Sequence, residues 1–200
     1  MDIKSYKKTF EYSYAFGIFP TIELIKAKSE KVIKVLVSSK YKTDADTDIF
    51  EVCKNYNVKT EVNDKLINRI SDKENNFVVG VFSKYECELK DNESHVVLVN
   101  PSNMGNMGTI IRTLTGFGLS NLAIISPGVD IYDPKVVRSS MGSLFRINFK
   151  YYDDFNVYNS LFKNHKKYAF MLDGAVSLKE VKHDKNELFS LIFGNEATGL

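Results

Sequence analysis

The sequence predicts an α/β chain of two small units, and three observations predict it. Short β-branched runs alternate with segments of helical periodicity along the whole chain. In the second half the strand-like runs are nearly continuous in apolar residues, which implies a parallel sheet covered on both faces. Between the halves lies a polar, charged stretch, SKYECELKDNES (83–94), whose composition suits a linker. Residues 1–84 are therefore expected to form a small α/β domain, 85–94 a linker, and 95–200 a mainly parallel-sheet α/β domain.

In the first domain IKVLVSS (33–39), KTEV (59–62) and FVVGVF (77–82) read as strands. PTIELIKAKSEK (20–31) reads as a helix with Pro20 in its first turn and Ile22 and Ile25 on one side. Residues 45–56 place Ile49, Val52, Cys53 and Tyr56 at helical spacing, and NDKLINRIS (63–71) does the same with Leu66, Ile67 and Ile70.

In the second domain the strands are HVVLVN (95–100), NLAIIS (121–126), RINFK (146–150), KYAFML (167–172) and LFSLIF (188–193). Helices are expected to start near Asn106, from DPKVVRSS with Asp133 as N-cap, and near 153–165.

The 27 basic and 25 acidic residues leave a formal charge of +2, so any nucleic-acid binding must come from local patches. Cys53 and Cys87 lack paired spacing, which argues against a disulfide framework or a cysteine zinc site. His95, His165 and His183 have no metal-ligand spacing and are expected at the surface or as caps. The start MDIKSYKK has no apolar signal core and no run is long enough to span a bilayer, so a cytoplasmic chain is expected.

Two stretches carry candidate chemistry. NPSNMGNMGTIIRTLTGFG (100–118) leaves a strand through glycines and enters a helix with Ile110, Ile111, Leu114 and Phe117 on one stripe. Arg112 falls off that stripe, six residues after Asn106, or roughly 9 Å of helical rise. Taken alone, the stretch fits a plain glycine turn with a solvated arginine as well as it fits a ligand site. It matches neither G-x-G-x-x-G nor a P-loop, which weakens a nicotinamide or NTPase reading. LIFGNEATGL (191–200) is the second such exit, breaking from a strand into Gly194, Asn195, Glu196 and Gly199, where open α/β sheets bind ligands.

Together these residues resemble the SpoU-type RNA ribose 2′-O-methyltransferases of the SPOUT superfamily. NMGNMGTIIRTLTGFG (103–118) is similar to their first motif, LIFGNEATGL (191–200) to their second, and DPKVVRSSMGSLF (133–145) to a segment between them. GIFPTIELIKA (17–27) and its flanking strands resemble the small substrate-binding domain, related to kink-turn-binding ribosomal proteins, that precedes many of these enzymes. The family's third motif has no counterpart before Leu200, so the resemblance implies a knot-type domain that is incomplete here and a stretch inactive by itself.

The resemblance further implies S-adenosylmethionine as cofactor, ribosomal or transfer RNA as partner, and a homodimer without metal. It assigns Asn106, Arg112 and Glu196 to catalysis, with Arg112 anchoring a phosphate more readily than acting as a base, because guanidinium stays protonated. Gly194, Asn195 and Gly199 would meet the cofactor, and Leu172 and Gly174 of LDGA would line its adenosine side or form an ordinary turn. Arg138, Ser140 and Lys26 are candidate RNA contacts, the last in a patch with Lys28, Lys31, Lys34, Tyr12, Tyr14 and Phe16 that reads more readily as solvated surface. The other class of function left open is an RNA-binding or assembly module with an incomplete methyltransferase domain.

Overall fold

The computed structural model describes residues 3–43, 48–71, 76–171 and 176–200. The chain divides into two compact units. The first comprises Met1–Tyr85, Met104–Arg112 and Asp130–Arg146; the second comprises Glu86–Asn103, Thr113–Val129 and Ile147–Leu200. The first unit runs unbroken to Tyr85, and two later segments return to it.

The first unit is built on a mixed sheet in the order β1 (Tyr12–Phe16), β4 (Val78–Ser83), β2 (Val32–Val37), β3 (Thr60–Val62). β4 runs antiparallel to both β1 and β2, while β3 is parallel to β2. Helices α1 (Ile18–Lys28), α2 (Ile49–Asn55) and α3 (Asp64–Ile70) follow the expected segments, the last two N-capped by the side chains of Asp48 and Asn63.

Alternation along the strands separates two apolar layers. Leu36, Val79 and Val81 join Tyr12, Tyr14, Phe16, Ile67 and Ile70. Val35, Val37 and Val78 join Ile22, Ile25, Ile49 and Cys53. Gly80 lets α1 rest on β4: a side-chain carbon there would lie 2.9 Å from Leu24 and 3.2 Å from Thr21.

β1 corrects the sequence expectation. Tyr12, Tyr14 and Phe16 are buried core residues rather than part of an RNA-facing patch. YSYAF alternates aromatic and small residues, and burial of all five follows because the strand has cover on both sides. The cover on one side includes α5 (Pro134–Ser139), which Asp133 caps. Ser13 donates to the Tyr132 carbonyl over 2.5 Å, and the Arg138 guanidinium lies 5.6 Å from the Phe16 ring.

The second unit is a five-stranded sheet in the order β7 (Asn148–Tyr152), β6 (Asn121–Ile125), β5 (His95–Val99), β9 (Phe189–Phe193), β8 (Lys166–Phe170). Every pairing in it is parallel, as the apolar runs imply. The chain steps outward from β5 to β6 and β7, then returns on the other side through β8 to β9, which lies against β5. The carboxyl ends of the first and last strands are thereby neighbours.

Element boundaries differ from expectation, most clearly in two places of the second unit. The strand placed at 146–150 begins at Asn148, because Ser143–Arg146 form a 3₁₀ turn, and helix α6 is shorter than 153–165, running from Phe155 to Leu161 behind its Asp154 cap. The linker is not a tether either. Leu89 is 8% exposed and joins the core beside Val97, Tyr152 and Phe162, while Tyr85 is buried in the first unit with its N–H donating to the Tyr132 hydroxyl over 2.9 Å.

Candidate functional site

Three strand exits converge in the second unit. Asn100, just past β5, takes a left-handed φ of 50°, a conformation asparagine tolerates better than most residues, and its N–H donates to the Ile125 carbonyl over 3.0 Å. The next carbonyl, of Pro101, accepts from the Val129 N–H over 2.9 Å, which fastens the β6 exit to the β5 exit. Gly128 permits that approach, since a side-chain carbon there would stand 2.9 Å from Ile124.

The β9 exit is a closed turn. Asn195 and Gly199 exchange backbone hydrogen bonds of 3.0 and 2.9 Å. Gly194 must be glycine because an added carbon would come within 2.4 Å of the Gly199 carbonyl oxygen, so its role is to close the turn. Gly199 has a φ of 73°, and a side chain placed there would meet no described atom within 4 Å, so that face of the turn is open.

Asn195 is 9% exposed, and its amide is fully occupied. Nδ2 donates to the Asn100 carbonyl over 2.7 Å and to Ser102 Oγ over 3.2 Å; Oδ1 accepts from the N–H groups of Ala197 and Thr198 over 2.8 and 3.2 Å. An asparagine side chain has two donor hydrogens and two acceptor lone pairs, so this one has no capacity left for a cofactor. The expected ligand is instead the residue that joins the two exits. Glu196 beside it is exposed, and one of its carboxylate oxygens accepts from Ser102 Oγ over 3.4 Å.

Helix α4 (Met104–Gly116) carries the other candidates. It buries Met107, Gly108, Ile111 and Leu114 and exposes Asn106, Thr109 and Arg112. Phe117, expected on the buried stripe, is 81% exposed just past the helix end, and Met107 takes its place as an apolar anchor. Gly108 has a packing reason: an added carbon would sit 1.9 Å from Ser139 Oγ and 2.8 Å from the Ser140 nitrogen, so α4 crosses the end of α5 at backbone contact.

The RNA candidates fare unevenly. Lys26 is exposed near the end of α1. Ser140 is fully buried and donates to the Val137 carbonyl over 2.8 Å, which removes it from any RNA-facing surface. Arg138 is half-buried and donates to the Asn76 side chain as well as covering Phe16, so its guanidinium is committed within the first unit. Lys34 pairs with Glu61 over 2.7 Å and Lys28 lies over the Tyr85 ring at 5.4 Å. Leu172 and Gly174 lie outside the described residues.

His95 and His165 are corrected from surface to core. They are 0% and 4% exposed at the amino ends of the second unit's strands. His95 Nε2 faces the Lys90 carbonyl at 2.9 Å and its Nδ1 faces the Tyr158 hydroxyl at 3.0 Å, with Ser190 2.7 Å further on. Burial pushes the His95 pKa down to about 4 and lowers that of His165 as well. Among the described residues no cluster of His, Cys, Asp or Glu could hold a metal ion, and no helix is long and apolar enough to cross a membrane.

Sequence reasoning missed Asn100 and Ser102. The signal available was Asn-Pro-Ser directly after an apolar strand, a common way to start a turn.

Known proteins resemble this chain in sequence or in fold. A 23S rRNA (uridine(2479)-2′-O)-methyltransferase of Streptomyces viridochromogenes is 44% identical over 52 residues, covering 26% of this chain and 18% of its own length. The 23S rRNA (guanosine(2553)-2′-O)-methyltransferase RlmP of Bacillus subtilis is 30% identical over 102 residues, covering 48% and 38%. The matches thus span well under half of either relative. An AdoMet-bound rRNA methyltransferase from Sinorhizobium meliloti shares the fold with a TM-score of 0.77 at 24% identity, over 95% of this chain and 73% of that one. The model of the SpoU rRNA methylase family matches residues 93–200, a span that contains both strand exits, and the chain belongs to that family.

Proposed function

We propose that the protein transfers a methyl group from S-adenosylmethionine to a ribose 2′-hydroxyl of ribosomal or transfer RNA. The observation that supports this most is the joined exit of β5 and β9, where an asparagine braces a glycine turn that presents Glu196 at the carboxyl edge of a parallel sheet. The residues there fit a methyl donor: the Gly199 face is open and free of a side chain, and Glu196 in the same turn is exposed. When bound, S-adenosylmethionine supplies an electrophilic methyl carbon on a sulfonium.

The chain's own groups must hold the acceptor. A ribose hydroxyl is a poor nucleophile at neutral pH, and Glu196 strengthens it by accepting its hydrogen bond. Arg112 stays charged throughout and grips an RNA phosphate, and Asn106, also exposed on α4, offers its amide to the RNA. Gly199 and the turn backbone hold the donor, with Leu172 and Gly174 on its adenosine side. Lys26 adds a phosphate contact. The working form is a cytoplasmic homodimer.

The test is incubation of the purified full-length protein with methyl-labelled S-adenosylmethionine and total RNA from cells lacking the modification. Label retained at an alkali-resistant 2′-O-methyl linkage supports the reading. RNA binding without label transfer overturns it in favour of an RNA-binding or assembly module.

A further inference from the structure

We propose that Ser102 and Asn195 are positioning residues that set the Glu196 carboxylate and the turn carrying it. The inference rests on the methyl-transfer reading for its functional consequence, but its structural half does not. Ser102 has one hydroxyl proton. Because its oxygen accepts from Asn195 Nδ2 over 3.2 Å, that proton is directed to Glu196 Oε2, 3.4 Å away. The links run in one direction, amide to hydroxyl to carboxylate, so each donor polarises the next toward the negative group.

The origin of the relay is rigid. The orientation of the Asn195 amide is dictated by its neighbours, since reversing it would place NH₂ against the two N–H groups of Ala197 and Thr198 and oxygen against the Asn100 carbonyl. Those two N–H groups belong to the residues directly after Glu196. One side chain therefore shapes the turn on one side of the carboxylate and aims a hydroxyl at it from the other. Ser102 and Asn195 come from exits 93 residues apart in sequence, joined because β5 and β9 are paired.

Two measurements on the whole protein test this. In a double-mutant cycle, Ser102→Ala is expected to lower kcat about tenfold with the KM for S-adenosylmethionine nearly unchanged, and Ser102→Thr to restore it. The same substitution in a Glu196→Gln background is expected to cost nothing further, since the group it acts through is already altered. Independent losses in the cycle, or a raised KM with unchanged kcat, would make Ser102 something other than a positioning residue and overturn the proposal.

Amide hydrogen exchange supplies the arm that needs no turnover. Asn195→Ala is expected to speed exchange at Ala197 and Thr198 by about tenfold or more, and Asn195→Asp, which keeps the accepting oxygen, to speed it less. Unchanged exchange overturns the brace whether or not methyl transfer occurs. Absent methyl transfer by the unaltered protein defeats the proposed function alone.

Discussion

The side-chain amide of Asn195 donates to the backbone carbonyl of Asn100 over 2.7 Å, tying the end of the last strand to the end of the first strand of the parallel sheet. Asn100 can offer that carbonyl because its backbone is left-handed, with φ at 50°. The pairing thus depends on one residue's side chain and the other's conformation.

That dependence gives a stability prediction. Asn100→Val forces a β-branched residue into left-handed space and is expected to lower unfolding free energy by roughly 1–2 kcal/mol. Asn100→Gly keeps the carbonyl and the conformation and is expected to be nearly neutral. Urea unfolding of the two variants checks both, and equal losses would show that the Asn100 side chain, not its backbone, matters.

A second prediction concerns α4 and α5. Gly108→Ala adds a carbon 1.9 Å from Ser139 Oγ and 2.8 Å from the Ser140 nitrogen, and the latter is backbone that cannot rotate away. Overpacking of this kind costs about 1–3 kcal/mol, more than the helix propensity that alanine adds back, about 1 kcal/mol. Pairing it with Ser139→Gly relieves only the side-chain half of the clash, so recovery in thermal melting is expected to be partial.

How much of this was legible in the sequence follows from the reach of each interaction. HVVLV and NLAII are apolar at successive positions, so their burial on both faces and parallel pairing could be read locally. YSYAF could not, because the elements that bury it include α5, over a hundred residues later, and its aromatics beside lysines resemble a surface patch. In the candidate site, the glycine exits and Glu196 were visible as motifs. The occupied amide of Asn195 was not, since its partners at Asn100 and Ser102 lie on another exit. His95 was misjudged for the same reason: its burial comes from Tyr158, Phe162 and His165, brought over it by α6 and the turn beyond.

The histidine core makes stability depend on pH. His95 is held to a pKa of about 4 by burial, against an ordinary 6.5, so between those values the unfolded chain binds a proton that the folded chain refuses. Stability from this group is full above pH 6.5 and is lost as pH falls toward 4, by about 3 kcal/mol at most. Glu93, held to about 2 chiefly by hydrogen bonds from Lys90 and Ser120, adds a loss only below its ordinary 4.5. Unfolding free energy measured by urea is expected to fall from pH 7 to 4.5, His95 and His165 both contributing, and His95→Gln to reduce the slope. His95 begins β5 and Asn100 follows its end, roughly 16 Å of strand away, so the loss of stability is expected before any change at the strand exits.

The last prediction separates catalysis from folding at Arg112. Its side chain is exposed on α4, opposite the buried Ile111 and Leu114, so Arg112→Ala is expected to leave the melting temperature within a degree or two, about the scatter of surface substitutions. Loss of a positioned group in the reaction is expected to lower kcat/KM for RNA roughly 100-fold to 10,000-fold. Arg112→Lys keeps the charge but not the planar fork that grips two phosphate oxygens at once, and is expected to recover only part of that loss. The pattern across the two variants also distinguishes roles. A phosphate anchor responds to charge, so lysine should recover much of the RNA affinity and show a similar salt dependence. A residue acting on the ribose proton would gain nothing from lysine in KM and would instead shift the pH profile of kcat, because a lysine can lose its proton where an arginine cannot.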